Sequence, residues 1–326
     1  MRKALLIVLL VAFAWPVFDC AAASKVYEET SGRKGRYFFR RPRKNTPDQQ
    51  LAYADKLLEE GKMRRAMRHY LALTRFWPES PQAGEAQYKY ARLLDHRGKL
   101  MDAFEEYQRL FDHHTGFFPY DEVLHRQFEL AEILMNRRKG KFLFFPGFTA
   151  PERAAPLFES IVKNGPQWER APEAQFFVGQ AYEKSLEYEQ AVAAYMRTQQ
   201  RYPASPFAEK ASFRTAHCFY TLAQESPNNK QLLENAWATT TLFLTTYPRS
   251  DLAPKAREYA ESLRRQRARL AYNTATYYDR IEKRPKSALI AYETLLRDFP
   301  DSDWTEKAKG RIEALKKIVE TTSNEK

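Results

Sequence analysis

From about residue 47 onward, small, apolar and polar positions recur in one frame. An alanine is followed four residues later by an aromatic, and eight residues after that by a proline. The frame reads Ala66/Tyr70/Pro78, Ala154/Phe158/Pro166, Ala191/Tyr195/Pro203 and Ala288/Tyr292/Pro300. Ala236/Thr240/Pro248 keeps it without the aromatic, and Ala103/Tyr107 keeps its first two members while the proline slips to Pro119. Upstream of each stands a second repeat, a small residue three before a large one: Ala54/Leu57, Ala91/Leu94, Ala131/Leu134, Gly179/Tyr182, Ala216/Phe219 and Ala275/Tyr278. Spacings of three and four place such side chains on one helical face. A small residue lets two helices approach closely, and the large one fills the gap above it. Each proline ends the second helix, because it lacks an amide donor and restricts the residue before it. Gly61 and Gly98 fall at the turn between the two halves. Ser80-Pro81 and Ser205-Pro206 read as an N-cap followed by the first helical residue, and Ser250 and Ser302 follow their prolines in the same way. No strand pattern emerges. The expected fold is all-α, an α-solenoid of about six helix pairs with a capping helix near 303–319.

The small/large pair on the first helix, with the alanine, aromatic and proline on the second, resembles the tetratricopeptide motif, whose unit is about 34 residues. The resemblance covers about residues 47–320, and length beyond that unit sits in segments such as Arg138–Pro151 and Gln224–Gln231. Ser250 to Ser302 has no helix breaker before Pro285, which predicts one unusually long helix feeding a short second one. This stretch is similar to the corresponding part of the BamD family, the repeat lipoproteins of the outer-membrane β-barrel assembly machinery. Arg267 to Ala271, Ala275 with Tyr277-Tyr278, and Asp298-Phe299-Pro300-Asp301-Ser302 carry the likeness. It implies a periplasmic scaffold at the inner face of the outer membrane, binding unfolded outer-membrane proteins, the barrel-assembly subunit, or both. The repeats alone fit equally an envelope adaptor for cell-division or cell-wall enzymes.

In the tetratricopeptide framework, the position three before each small residue of the first helix faces the concave groove. Here it carries Leu51, Tyr88, Phe128, Phe176, Phe213 and Tyr272, with Asp55, Arg92, Glu132 and Gln180 around it on the same face. Rings flanked by hydrogen-bonding groups suit an extended or helical peptide with spaced apolar side chains. Packing of the same rings on the neighbouring repeat is the other reading. Phe142, Phe144, Phe145 and Phe148 crowd an insert too short and proline-broken for a helix. It reads as a contact loop or as cover for a groove edge. There is no Gly-rich phosphate loop, nucleophile elbow or His-Glu-x-x-His. His113 and His114 are adjacent, and neighbours on a helix point about 100° apart, a poor chelate. Carboxylates such as Glu59-Glu60 and Glu105-Glu106 are spread over helix faces. A hydrolase reading therefore has no pre-organised residues to rest on, and neither enzyme activity, cofactor nor metal is expected.

At the N-terminus Arg2 and Lys3 precede the apolar stretch Ala4 to Phe18, and Ala21-Ala22-Ala23 supplies small residues for a signal peptidase. The pattern predicts an export signal over 1–23 and a mature start at Ser24. The apolar run is short for a membrane span and is broken by Pro16. Cys20 sits where a lipoprotein carries its acyl chain, but Asp19 precedes it where a small residue belongs. Cleavage after Ala23 is the preferred reading, and lipidation of Cys20 is the second. Cleavage would leave Cys218 alone, excluding an internal disulfide and making it a small buried apolar residue.

The net charge is +12, and removing Arg2, Lys3 and Asp19 leaves +11. Much of it lies in Arg33, Lys34, Arg36, Arg40, Arg41, Arg43 and Lys44, interleaved with Tyr37, Phe38 and Phe39. Residues 24–47 read either as a flexible, solvated linker or as a contact for anionic lipid, cell-wall polymer or an acidic partner. An exported chain rarely meets nucleic acid, so none is expected as a partner. The repeat array is expected over 48–320 and a disordered tail over 321–326. With only 11 glycines and few valines and isoleucines, the composition favours helices.

Overall fold

The computed structural model describes residues 41–137 and 150–324, and among them it holds thirteen α-helices and no strand. The helices are α1 (Pro47–Glu59), α2 (Met63–Phe76), α3 (Pro81–His96), α4 (Leu100–His113), α5 (Tyr120–Asn136) and α6 (Ala155–Asn164). There follow α7 (Ala171–Lys184), α8 (Tyr188–Arg201), α9 (Pro206–Glu225), α10 (Lys230–Thr246), α11 (Ala253–Thr276), α12 (Pro285–Asp298) and α13 (Thr305–Asn324). They form six pairs and a last single helix, an all-α solenoid of tetratricopeptide-type pairs. The chain divides into two compact parts, one ending at Ala83 and one beginning at Gly84.

In the first part Thr46 caps α1, its hydroxyl accepting the Gln49 amide, with Pro47 at the first helical position. Ala54 and Leu57 on α1 meet Ala66, Tyr70 and Leu73 on α2, all buried. Tyr70 donates its hydroxyl to Asp55 at 2.5 Å. Gln50 is fully buried yet well bonded. Its Oε1 accepts the backbone amides of Arg43 and Lys44 at 3.0 and 3.1 Å, and its Nε2 donates to the His69 carbonyl at 3.2 Å. The end of the basic segment is thus pinned to the first pair, inside the stretch that the sequence reads as a linker up to residue 47.

In the second part, from α5 onward, each helix packs on its neighbours in the chain, the order expected of a nearest-neighbour array. The frame residues form its core. Ala103, Ala191, Ala236 and Ala288 have no exposed surface, and Tyr107, Phe158, Tyr195 and Tyr292 are among the largest fully buried side chains. Ala131, Ala216 and Ala275 are closed off in the same way. Ser205 caps α9 by accepting the Phe207 amide at 3.2 Å. Ser80 instead donates its hydroxyl to the Trp77 carbonyl.

Three details depart from the simple frame. In the third pair Ala154 ends a 3-10 turn, Pro151–Ala154, and the helix proper starts one residue later. The long helix expected after Ser250 is α11, whose 24 residues span about 36 Å at 1.5 Å per residue. It ends in a π-helical turn, Tyr277–Ile281, before the chain reaches Pro285. The capping helix runs from Thr305 to Asn324, longer than its expected 303–319.

Candidate functional site

Most of the aromatic ladder is turned inward. Leu51 is buried in the first part. Phe128 is fully enclosed, with ring centroids 5.5 Å from Phe158, 6.0 Å from Trp168 and 5.4 Å from Phe177. The Arg170 guanidinium covers its remaining face at 3.8 Å. Phe176 packs on Tyr195 and Phe207 at 5.2 and 5.6 Å, and Phe213 on Phe243 and Tyr259 at 5.5 and 6.0 Å. Tyr272 stacks on Trp304 at 4.6 Å. Between the two readings of the ladder, these rings take the packing one in this structure. The reason is local: the position lies where one first helix meets the next pair, whose own aromatics close over it. Tyr88 and Tyr272 are less enclosed and stay half-buried.

The polar members of that face remain accessible. Arg92 is exposed, and Glu132 and Gln180 are half-buried. On α3 and α5 they join residues that the ladder pattern does not single out. Tyr88 donates to Glu122 and carries the Arg92 guanidinium over its ring at 5.6 Å. Burial, followed by the bond to Glu122, pushes the Tyr88 phenol up to about 12, so it stays a donor at neutral pH. Arg126 grips Asp95 with two bonds, at 2.5 and 2.8 Å, and reaches Glu129 with its remaining nitrogen. His125 meets the edge of Trp168, with centroids 4.9 Å apart, and its Nε2 lies 3.4 Å from Glu169.

These groups surround an open depression of about 460 Å³ lined by Arg92, Asp95, His96, Tyr107, Glu122, His125, Arg126 and Glu129. Through Arg126 and Glu129 it continues into a second of about 670 Å³, with Leu100, Glu132, Ile133, Asn136 and Arg137. The surface offers donors and acceptors of both signs around one exposed apolar residue, Ile133. Such a lining can pair with the amides, carbonyls and charged side chains of another polypeptide. Among the described residues no group of three His, Cys, Asp or Glu could hold a metal ion. Cys218 is buried and its thiol pushed up by that burial, so it stays a protonated thiol at neutral pH. Phe142, Phe144, Phe145, Phe148 and Cys20 lie outside the described residues. No described helix is long and apolar enough to cross a membrane.

The charged lining escapes a pattern search because its partners are far apart in sequence. Asp95 and Arg126 are 31 residues apart, and Tyr88 and Glu122 are 34. The one available signal is a spacing: an arginine stands 19 residues after Tyr107, Tyr195 and Tyr292, as Arg126, Arg214 and Arg311.

Against known proteins, residues 173–205 match the tetratricopeptide repeat family, the stretch that forms α7, α8 and the turn into α9. No curated protein sequence matches the chain. Among solved structures, the C-terminal part of a TPR repeat-containing protein from Cytophaga hutchinsonii is 18% identical, over 88% of this chain and 93% of that one, with a TM-score of 0.33. A tetratricopeptide repeat protein from Parabacteroides merdae is 14% identical, over 82% and 98%, with a TM-score of 0.29. MamA from Desulfovibrio magneticus is 14% identical, over 60% and 94%, with a TM-score of 0.28. Likeness at this level assigns no function.

Proposed function

We propose that this chain is an exported repeat scaffold of the cell envelope, which holds a segment of another protein against the open face of α3 and α5. The observation that carries the reading is the depression on that face lined by Arg92, Glu122, Arg126, Glu129 and Glu132, where Glu122 is paired with Tyr88 and Arg126 with Asp95 and Glu129. The pairs are bonded to one another in the free protein, so a client exchanges polar contacts rather than leaving buried charges exposed. Export is supported by the charged, apolar and small-residue order of the first 23 residues, and a place at the inner face of the outer membrane by the likeness of Ser250–Ser302 to the BamD family. On that likeness the client is an unfolded outer-membrane protein or the barrel-assembly subunit.

The test is binding of C-terminal peptides of outer-membrane proteins, read by fluorescence anisotropy at two salt concentrations. Replacing Tyr88 and Arg92 with alanine should weaken binding roughly thirtyfold, the scale of an aromatic or arginine anchor. The thermal midpoint should move little, because Arg92 is exposed and Tyr88 half-buried. Phe128→Ala is unsuitable for this purpose, since it empties a packed site and costs about 3–5 kcal/mol of stability. A double variant that binds these peptides as the parent does would remove the site. Capture of cell-wall or cell-division enzymes, with no affinity for the peptides, would replace the client.

A further inference from the structure

Of the thirteen described helices, α2 alone contains no carboxylate, and its 14 residues include four arginines and a histidine. At 3.6 residues per turn Ala66, Met67, Tyr70 and Leu73 face the core of the first pair. Arg68 then points away from it with Arg64 and Arg65 on either side, and all three are exposed, while Ala72, between Arg68 and Arg65 around the helix, is buried. None has a carboxylate within ion-pair distance among the described residues, although the Arg65 charge is felt at Glu60 and helps to lower that carboxyl after the larger effect of Lys62. Several arginines of the second part meet acidic partners, Arg126 with Asp95, Arg214 with Glu183, Arg267 with Glu234 and Arg311 with Asp279. Others, such as Arg265 and Arg269 on α11, are exposed like those of α2. Arg64 and Arg68, one helical turn apart, repel each other, and that arrangement is unfavourable until an outside anion meets it.

Two neighbouring features sharpen the chemistry of that anion. Phe76, 46% exposed, stands at the end of α2 beside Trp77, with ring centroids 6.4 Å apart. A bilayer surface takes phosphates at the guanidiniums and a ring at the headgroup level, two contacts that α2 offers together. The end of the basic segment is also held here, since Gln50 ties the Arg43 and Lys44 amides to His69 of α2.

We propose that the outward face of α2, with Arg64, Arg65, Arg68 and Phe76, docks the protein onto an anionic lipid bilayer. The apolar face of α2 is occupied by the core, so the contact is peripheral and electrostatic, without insertion of the helix. It is independent of the client surface on α3 and α5.

The full chain is floated with vesicles of phosphatidylcholine alone, and of phosphatidylcholine with phosphatidylglycerol, at low and physiological salt. Neutral vesicles report whatever the apolar residues 4–18 contribute. Binding should require phosphatidylglycerol and weaken as salt rises. Each arginine is worth roughly a fivefold change in partition near such a surface. The variant Arg64→Glu/Arg65→Glu/Arg68→Glu should therefore bind anionic vesicles on the order of a hundredfold more weakly at low salt. Phe76→Ala should bind vesicles a few-fold more weakly while its binding to soluble polyglutamate stays the same. If charge reversal prevents folding, as judged by thermal melting, the Arg→Gln version at the same three positions is read in its place. A folded triple variant that partitions like the parent overturns the proposal and assigns the binding to the N-terminal basic run. Polyglutamate held as tightly as anionic vesicles, with Phe76→Ala indifferent in both, overturns it in favour of an acidic protein partner.

Discussion

Leu186 makes the turn between α7 and α8 with φ +63°, the conformation that Gly61 and Gly98 adopt at +72° and +69° in the first two pairs. The left-handed region costs a residue with a Cβ roughly 1–2 kcal/mol, and Leu186 recovers little of it by packing, being 70% exposed. In the same pair the small position is a glycine. A Cβ added to Gly179 would lie 2.5 Å from the Tyr195 ring, which is fully buried and has nowhere to move. The fourth pair thus carries glycine where the other pairs carry alanine, and leucine where two of them carry glycine. Opposite signs follow. Leu186→Gly should raise stability by about 0.5–1 kcal/mol, after the extra chain entropy of glycine is subtracted. Gly179→Ala should lower it by about 1–3 kcal/mol through overpacking. Urea midpoints for both variants, measured side by side, check the pair of signs.

Helices are joined into a stack by carboxylates as well as by rings. Glu183, near the end of α7, accepts the Tyr195 hydroxyl of α8 at 2.5 Å and the Arg214 guanidinium of α9 at 3.0 Å. His217, also on α9, lies 3.6 Å from Glu183 and shares a hydrogen bond with Tyr259 of α11 at 3.0 Å, so the cluster reaches three pairs. Asp279 does the same between α12 and the capping helix, gripping Arg311 at 2.6 and 2.8 Å beside the Tyr292 hydroxyl. Where the frame position holds Phe158 or Thr240 instead of tyrosine, the residue 19 further on is aromatic, Phe177 or Tyr259. Polar and aromatic junctions therefore alternate along the second part.

The bond from Arg311 holds the Asp279 carboxyl below its ordinary value, against the opposing effect of burial. Asp279→Asn should cost about 1.5–3 kcal/mol at neutral pH, the scale of hydrogen bonds to a charged group. A depressed carboxylate stabilises fully above its unfolded value, about 3.9, and loses that contribution as pH falls through the lower folded value. The gap in thermal midpoint between parent and variant should accordingly be widest at neutral pH, begin to narrow near about pH 4 and close only below the lowered folded value. A gap that is constant across that range would mean that the charge of Asp279 contributes nothing to the junction.

At the scale of the molecule, stability is a sum over pairs and their junctions, with no single central core. Ala191 is fully buried, and enlarging it to leucine should cost about 1–3 kcal/mol in the fourth pair. Hydrogen exchange can locate the loss. Amides of α7, α8 and α9 should exchange faster in Ala191→Leu, while those of α12 and α13, which share no contact with the site, keep their protection. Uniform loss of protection from α5 to α13 would show a cooperative single unit instead. The same modularity predicts that variants at the proposed client surface on α3 and α5 and at the proposed docking face on α2 can be read separately.

What the residues dictated alone is the frame: where each helix stops, which alanine and which tyrosine face inward, and that the helices come in pairs. Those features are local. Proline ends a helix by its own missing donor, and a period near 3.6 fixes one apolar face before any neighbour arrives. The ladder at Tyr88, Phe128, Phe176 and Phe213 was legible as a face but not as packing, because whether a ring is covered depends on Trp168, Phe207 or Tyr259, contributed from elsewhere in the chain. The ion pairs that line the α3–α5 surface were likewise invisible, since Asp95 and Arg126 meet across 31 residues. The left-handed turn at Leu186 went unread because leucine carries no local preference for it, and the packing of α7 on α8 imposes it. Local chemistry determined the elements. The choice between core and surface for a given ring needed the next pair in place, because burial belongs to two helices at once.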